Sequence, residues 1–207
     1  MMKRKVLYRS VSLLVIAAMA ALFMGCKTTA SSTKMEDNAS FNEVVALINS
    51  GSYELEVNAV LPFNSYATTQ VVNAIMLPYT GNSAARINVQ GQNNFLNYNG
   101  EEVAADLPYF GEQRLAGRAY GVNTDGGINF KTAPEDYEIV VNEKKKRVVI
   151  TFNAEDTNLT TENYDVTIVA FANGNAELVI FSSHRDNIRY MGKLVALAED
   201  EDKKINE

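Results

Sequence analysis

Apolar residues recur along this 207-residue chain in three rhythms, and each predicts a different element. Val11 to Met24 is an almost unbroken apolar run, interrupted only by Ser12. It is shorter than the roughly 20 residues that a membrane-crossing helix needs. From Phe41 the spacing becomes helical: Phe41, Val44, Val45 and Ile48 fall at i, i+3, i+4 and i+7, which places them on one face. Ser40 with Glu43 has the form of a capping box, and Gly51 stands where a left-handed C-cap is expected. A helix from Phe41 to about Ser50 follows.

Beyond Gly51 the period is two, the mark of strands with one buried face. Tyr53, Leu55, Val57, Ala59 and Leu61 alternate with polar residues up to Pro62. Residues 69 to 77 are apolar without clear alternation and are assigned as a strand. Ile87 and Val89 open another, and Phe95 to Tyr98 continues it or starts the next. Asn99-Gly100 marks a tight turn into Val103, Ala105 and Leu107. Tyr137, Ile139 and Val141 run into the turn Glu143-Lys144-Lys145-Lys146 and return as Val148, Ile150 and Phe152, all six on one face. A two-residue turn at Asn173-Gly174 would pair Val169 with Leu178 and Ile168 with Val179. That leaves apolar residues on both faces, hence a central hairpin covered on both sides. Ile188, Tyr190 and Leu194 predict a last strand. The expected fold is mostly β (α+β): an antiparallel meander, sandwich or curled sheet with one N-terminal helix.

The apolar run at the start gains meaning from its flanks. Lys3, Arg4, Lys5 and Arg9 precede it, and Gly25-Cys26 closes it, so residues 1–25 read as a lipoprotein signal peptide with Cys26 as the lipidated residue. Residues 26–39 then form a polar flexible tether, 40–198 a single β-rich domain and 199–207 a charged tail. Cys26 is the only cysteine, so the domain has no disulfide to rely on and must hold by packing. Residues 1–25 carry four basic and no acidic residues, so processing takes the net charge from −6 to −10. A chain this acidic is not a nucleic-acid binder, and the membrane partner is reached through the lipid rather than by charge.

Chemistry is sparse. Ser182, Ser183, His184, Arg185 and Asp186 hold the residue types of a hydrolase triad, but neighbours on a strand point to opposite faces. His184 is the sole histidine, which excludes multi-histidine metal sites. Asn123 to Gly127 lacks the spaced carboxylates of a calcium loop and reads as a turn. Glu101, Glu102 and Asp106 read as a solvated hairpin end. No catalytic residue, metal or cofactor is expected. The most unusual stretch is Leu107-Pro108-Tyr109-Phe110-Gly111 with Arg114, Arg118 and Tyr120. Aromatics and arginines on a glycine-rich loop suit a recognition surface. The competing and preferred reading has Tyr109 and Phe110 plug an open end of the sheet.

The Cys26 lipobox, Leu107 to Gly111, Gly127-Ile128-Asn129-Phe130 and the closing Arg185…Ile188-Arg189-Tyr190-Met191-Gly192 together resemble domain-of-unknown-function family 4251, lipoproteins and periplasmic proteins of Bacteroidota. The likeness covers about Phe41 to Leu197. It implies a β-rich envelope protein and carries no activity or site residue with it. In that phylum an acidic run after the lipidated cysteine directs lipoproteins to the cell surface. Lys27-Thr28-Thr29-Ala30 stands there instead, so the resemblance favours anchoring to the outer or inner membrane on the periplasmic side. The expected function is a non-enzymatic binding or interaction module with a protein partner. The alternative is a carrier of an apolar ligand, lipid or acyl chain, in a β-lined cavity. A hydrolase using Ser183 or Asp106 is the remote third.

Overall fold

A computed structural model describes residues 30–63, 69–70, 73–74, 82–111, 126–157 and 161–198. The chain divides into two units, 1–37 and 38–207. Helix α1 spans Ala30–Asn49 and is followed by ten strands: β1 (Tyr53–Pro62), β2 (Ile87–Asn88), β3 (Phe95–Tyr98), β4 (Val103–Leu107), β5 (Ile128–Thr132), β6 (Glu135–Asn142), β7 (Arg147–Glu155), β8 (Asn163–Phe171), β9 (Asn175–Ser182) and β10 (Ile188–Ala196). The helix begins earlier than its capping signal suggests, so Ser40 lies inside it and the helix takes in residues 30–39. Lys34, Met35, Glu36 and Ala39 are all competent helix formers, enough to carry the helix back past the serine. The C-terminus is as expected: the Gly51 amide bonds the Ile48 carbonyl at 3.1 Å, and Gly51 is left-handed at φ 71°. Phe41, Val44 and Ile48 are buried on the sheet-facing side.

All pairings are antiparallel, in the order β5-β4-β3-β1-β10-β9-β8-β7-β6, with β2 beside β1. Two meanders, β3–β5 and β6–β10, are therefore joined through the first strand, which lies between β3 and β10. The order dictates the curl. Strands β5 and β6 stand at opposite ends of the sheet, yet only Ala133-Pro134 separates them in sequence. Two residues span about 10 Å at most, so the ends of the sheet must come together. They do: Phe130 of β5 meets Phe152 of β7 with ring centroids 6.3 Å apart, and the Tyr53 hydroxyl of β1 is 2.8 Å from that of Tyr137 on β6. The curled sheet encloses its inner face. Tyr53, Leu55, Leu96, Val103, Ile150, Ile168 and Leu178 are fully shielded there, so no water-sized space touches them.

Three expectations change at the level of register and element type. The hairpin of β8 and β9 pairs Ile168 with Leu178 and Val169 with Glu177, one residue away from the expected register. Its loop has three residues, not two: Gly174, at φ 78°, donates its amide to the Phe171 carbonyl and adds one position. A one-residue slip turns a strand over. Tyr164, Val166, Ile168, Ala170, Ala176, Leu178 and Ile180 thus share the buried face, whereas Val169, Phe171, Val179 and Phe181 lie on the outer one. Among the described residues the outer face of the hairpin is partly open, with Phe171 and Phe181 exposed, where cover on both sides was expected. The Asn99-Gly100 turn is likewise wider than expected, with Tyr98 paired to Val103 and the Asn99 side chain bonding the amides of Glu101 and Glu102. Within the stretch 69–77, residues 69, 70, 73 and 74 are helical rather than extended, and the others lie outside the described residues. Their lack of alternation fits a helix better than a strand. The turn at 143–146, by contrast, sets the expected pairs Val141–Val148 and Ile139–Ile150.

Candidate functional site

The two ends of the curled sheet differ. At one, Phe41 of helix α1 is buried and Lys146 of the β6–β7 turn sits 5.0 Å over its ring. At the other end the sheet buries charge. Strand β7 delivers Asp156, β8 starts just after Glu162, and β9 hands over to Arg185 through Ser182. Asp156, Glu162 and Arg185 are only 3 %, 1 % and 1 % exposed. An ion pair so buried is tolerated only when its remaining polar atoms are also bonded. Here they are. Arg185 Nε and Nη2 reach Glu162 Oε1 and Oε2 at 2.8 and 3.0 Å, a two-pronged pair. Its Nη1 donates to the carbonyls of Gly126 and Gly127 at 3.2 and 2.7 Å. Ser182 Oγ donates to Glu162 at 2.7 Å and accepts the amides of His184 and Arg185. Tyr164 donates to Asp156 at 2.6 Å.

The network fastens loops. The Tyr109 hydroxyl donates to the Asp186 carbonyl at 3.0 Å, and the Arg185 guanidinium lies 5.2 Å from the Tyr109 ring centroid. Tyr190 donates to the Pro108 carbonyl. The Asp156 amide bonds the Glu162 carbonyl, and Thr157 bonds Asn129 of β5. Segment 107–111 and residues 126–127 thus meet at one arginine. They are the two stems of the stretch that carries Arg114, Arg118 and Tyr120, residues that lie outside the described ones, as does Cys26.

Of the two described residues of the expected recognition loop, one plugs and one projects. Tyr109 is half-buried against the core, whereas Phe110 is 43 % exposed. The remaining candidates are scattered. Ser183 Oγ lies 3.3 Å from His184 Nδ1 but also accepts the Asn163 amide, so it is part of a strand-end pairing. Glu101 and Asp106 are exposed, and Glu102 is 3.9 Å from Lys131. Asp156 and Glu162 were invisible in the sequence, because carboxylates flanking a turn ordinarily face solvent. The only local hint was Arg185, which recurs among the motifs of the family resemblance. Open clefts of about 400 Å³ and 340 Å³ lie on the outer surface. The first is mixed, lined by Glu54, Glu56, Asn58 and Gln90 together with Val57 and Phe95, and the second is mainly polar, with Glu135, Glu155 and Asp165 among its lining residues.

Burial also sets the protonation of this interior. Burial acts to lower the Arg185 guanidinium, but Tyr164, Glu162 and Asp156 more than offset it, so it is held above its ordinary value. Burial pushes Tyr109 up to about 12, with the Asp186 charge adding to the effect. Tyr53, Tyr164 and Tyr190 are raised further, first by burial; the hydrogen bonds to Tyr137 and Asp156 add to it for Tyr53 and Tyr164. A phenol raised on folding keeps its proton where the unfolded chain has lost it. Stability is therefore full below pH 10 and falls as pH climbs above it. Each of these three tyrosines costs about tenfold in the folding constant per pH unit. Absorbance at 295 nm should show cooperative ionisation of buried tyrosine coincident with unfolding; a gradual titration near pH 10 that accounts for every tyrosine while the protein stays folded would contradict this.

The match to a family model follows the fold closely. Residues 35–194, from within α1 into β10, match the family described as a domain of unknown function, DUF4251. The chain belongs to the DUF4251 family. The match takes in every strand and the whole Arg185 network, so that buried clamp lies within the DUF4251 domain itself. No curated protein matches the chain.

Proposed function

We propose that this DUF4251 protein is a lipid-anchored envelope domain, facing the periplasm, that works as a non-enzymatic interaction module. The observation that carries the reading is the joint fastening of residues 107–111 and 126–127 on Arg185. Stems fastened in this way hold Phe110 in place before any partner arrives, which reduces the entropic cost of binding there. Phe110 projects from one stem, and Arg114, Arg118 and Tyr120 follow in the chain. Aromatics and arginines are the residues that dominate interface energetics. Anchoring rests on Gly25-Cys26 after the basic and apolar segments, and the residues after Cys26 lack an acidic run. The shielded inner face supports a packed core rather than a carrier's cavity.

The test replaces Phe110, Arg114 and Arg118 with alanine and leaves Tyr109, which packs, in place. Surface changes of this kind alter stability by about 0.5 kcal/mol or less. Crosslinking in intact cells followed by affinity capture should lose at least one partner that the unaltered protein retains. Equal recovery of every partner would end the assignment of this loop as the binding surface.

A further inference from the structure

We propose that the protein self-associates through strand β6, two copies pairing antiparallel edge to edge. Among the described residues β6 is hydrogen-bonded to β7 alone and ends the sheet. An edge strand presents unpaired backbone groups, and proteins commonly guard such edges with charge or bulges. The first half of β6 is guarded, by Glu135, Glu138 and a bulge at the left-handed Asp136. The second half is not. Val140 is 49 % exposed on the outer face, and Val141, though its partner Val148 is fully buried, is itself 39 % exposed. The sheet is thus open to solvent on both sides of the edge at these valines.

The charge order along the strand selects the occupant. Acidic residues Glu135, Asp136 and Glu138 precede the valines, and Lys144, Lys145 and Lys146 follow them, with Glu143 the one acid in that turn. A segment with this order is complementary to itself only when reversed. With a two-fold axis at Val140, Asp136 faces Lys144 of the second copy and Glu135 faces Lys145. With the axis at Val141, Glu138 faces Lys144 and Asp136 faces Lys146. A parallel arrangement would set like charges together. The outer face continues across the joint as well: Val140 is in register with Val149, and Val149 with Val169, so pairing extends one apolar row over both copies. The strand is short and the contact correspondingly weak, but confinement to a membrane raises the effective concentration of the partner. This proposal stands independently of the 107–127 loop.

The test uses the full chain in its own cells, carrying Val140→Cys. Mild oxidation should give a disulfide-linked dimer on non-reducing gels, whereas the unaltered chain, whose only thiol is Cys26, and an Asp165→Cys control should not. Adding Lys144→Glu and Lys145→Glu should cut the dimer at least fivefold, and further adding Glu135→Lys and Glu138→Lys should restore it. These positions are exposed, so folding is preserved. Absence of a disulfide-linked dimer from both Val140→Cys and a parallel Val141→Cys variant, one for each register, or a yield indifferent to charge reversal, overturns the proposal.

Discussion

Replacing Arg185 with alanine is expected to lower the stability of the domain by about 3–5 kcal/mol, the cost of leaving a buried charge without its partner. The reason lies in what would be stranded. Glu162 is 1 % exposed and has both carboxylate oxygens on the guanidinium, so its remaining partner would be Ser182. The carbonyls of Gly126 and Gly127 lose their donor in the same step. For a domain of this size each kcal/mol moves the melting temperature by about 2–4 °C, so a fall of about 10 °C is the central expectation. Arg185→Lys should lie between, since an ammonium keeps the charge but cannot reproduce the two-pronged pair and the two carbonyl bonds together. Removing both charges with Arg185→Met and Glu162→Leu should recover much of the loss, because neither member of the ion pair is left buried without the other. Thermal and urea unfolding of the three variants beside the parent decides it. If the alanine variant melts within 2 °C or so of the parent, the network is not what holds this end of the sheet. The same variants bear on the proposed function, since loss of the Arg185 side chain releases residues 126–127 and the Tyr109 ring contact while the Pro108 and Asp186 carbonyl bonds remain.

The legibility of this fold from its sequence depended on how local each determinant was. The β6–β7 register could be read beside its turn, where a four-residue loop pairs Val141 with Val148 and Ile139 with Ile150, but not at the expected Tyr137–Phe152 pair, where a bulge shifts the register. The β8–β9 register could not, because Asn173-Gly174 fits a two-residue turn as readily as the three-residue loop it closes, and the choice moves every partner by one. Helix α1 was legible in its apolar stripe and its glycine stop, whereas its start was masked by a serine that caps nothing. The insertion of β1 between β3 and β10 left no local mark, since pairing partners of distant strands are chosen by the whole sheet. The clamp was hidden for a different reason. Asp156, Glu162 and Arg185 are ordinary polar residues beside turns, and only the curl that brings β5 against the end of β7 removes them from water. Exposed Phe110 and half-buried Tyr109 show the limit of composition: adjacent aromatics took opposite roles, one packing and one projecting.

The joint between the two meanders should be nearly as sensitive, and Gly192→Val is expected to cost about 3 kcal/mol, the upper part of the range for overpacking a core. Gly192 sits on the inner face of β10, opposite Val57 of β1, where the register shifts between Val57 and Ala59. A Cβ at this position would run into the Glu56 carbonyl oxygen and stand 3.0 Å from Leu55 Cδ1. The obstacle is backbone, which cannot rotate aside as a side chain would. The bulge it permits turns the Val57 amide to the Asn94 carbonyl and the Asn58 carbonyl to the Val89 amide, fixing the loop between β2 and β3. A side chain at 192 must either part β1 from β10 or undo that bulge. The glycine is thus required by space rather than by a left-handed backbone, and Gly91 provides the contrast: at φ 81° it has nothing within 4 Å of an added Cβ. Gly91→Ala should cost about 1–2 kcal/mol, from conformation alone. Gly192→Ala should exceed it, and hydrogen exchange at Val57 and Leu55 should accelerate only in the 192 variants. Equal costs at both glycines, with unchanged exchange along β1, would mean that the strands close over an added side chain, and that β1 rather than Gly192 sets the register of the joint.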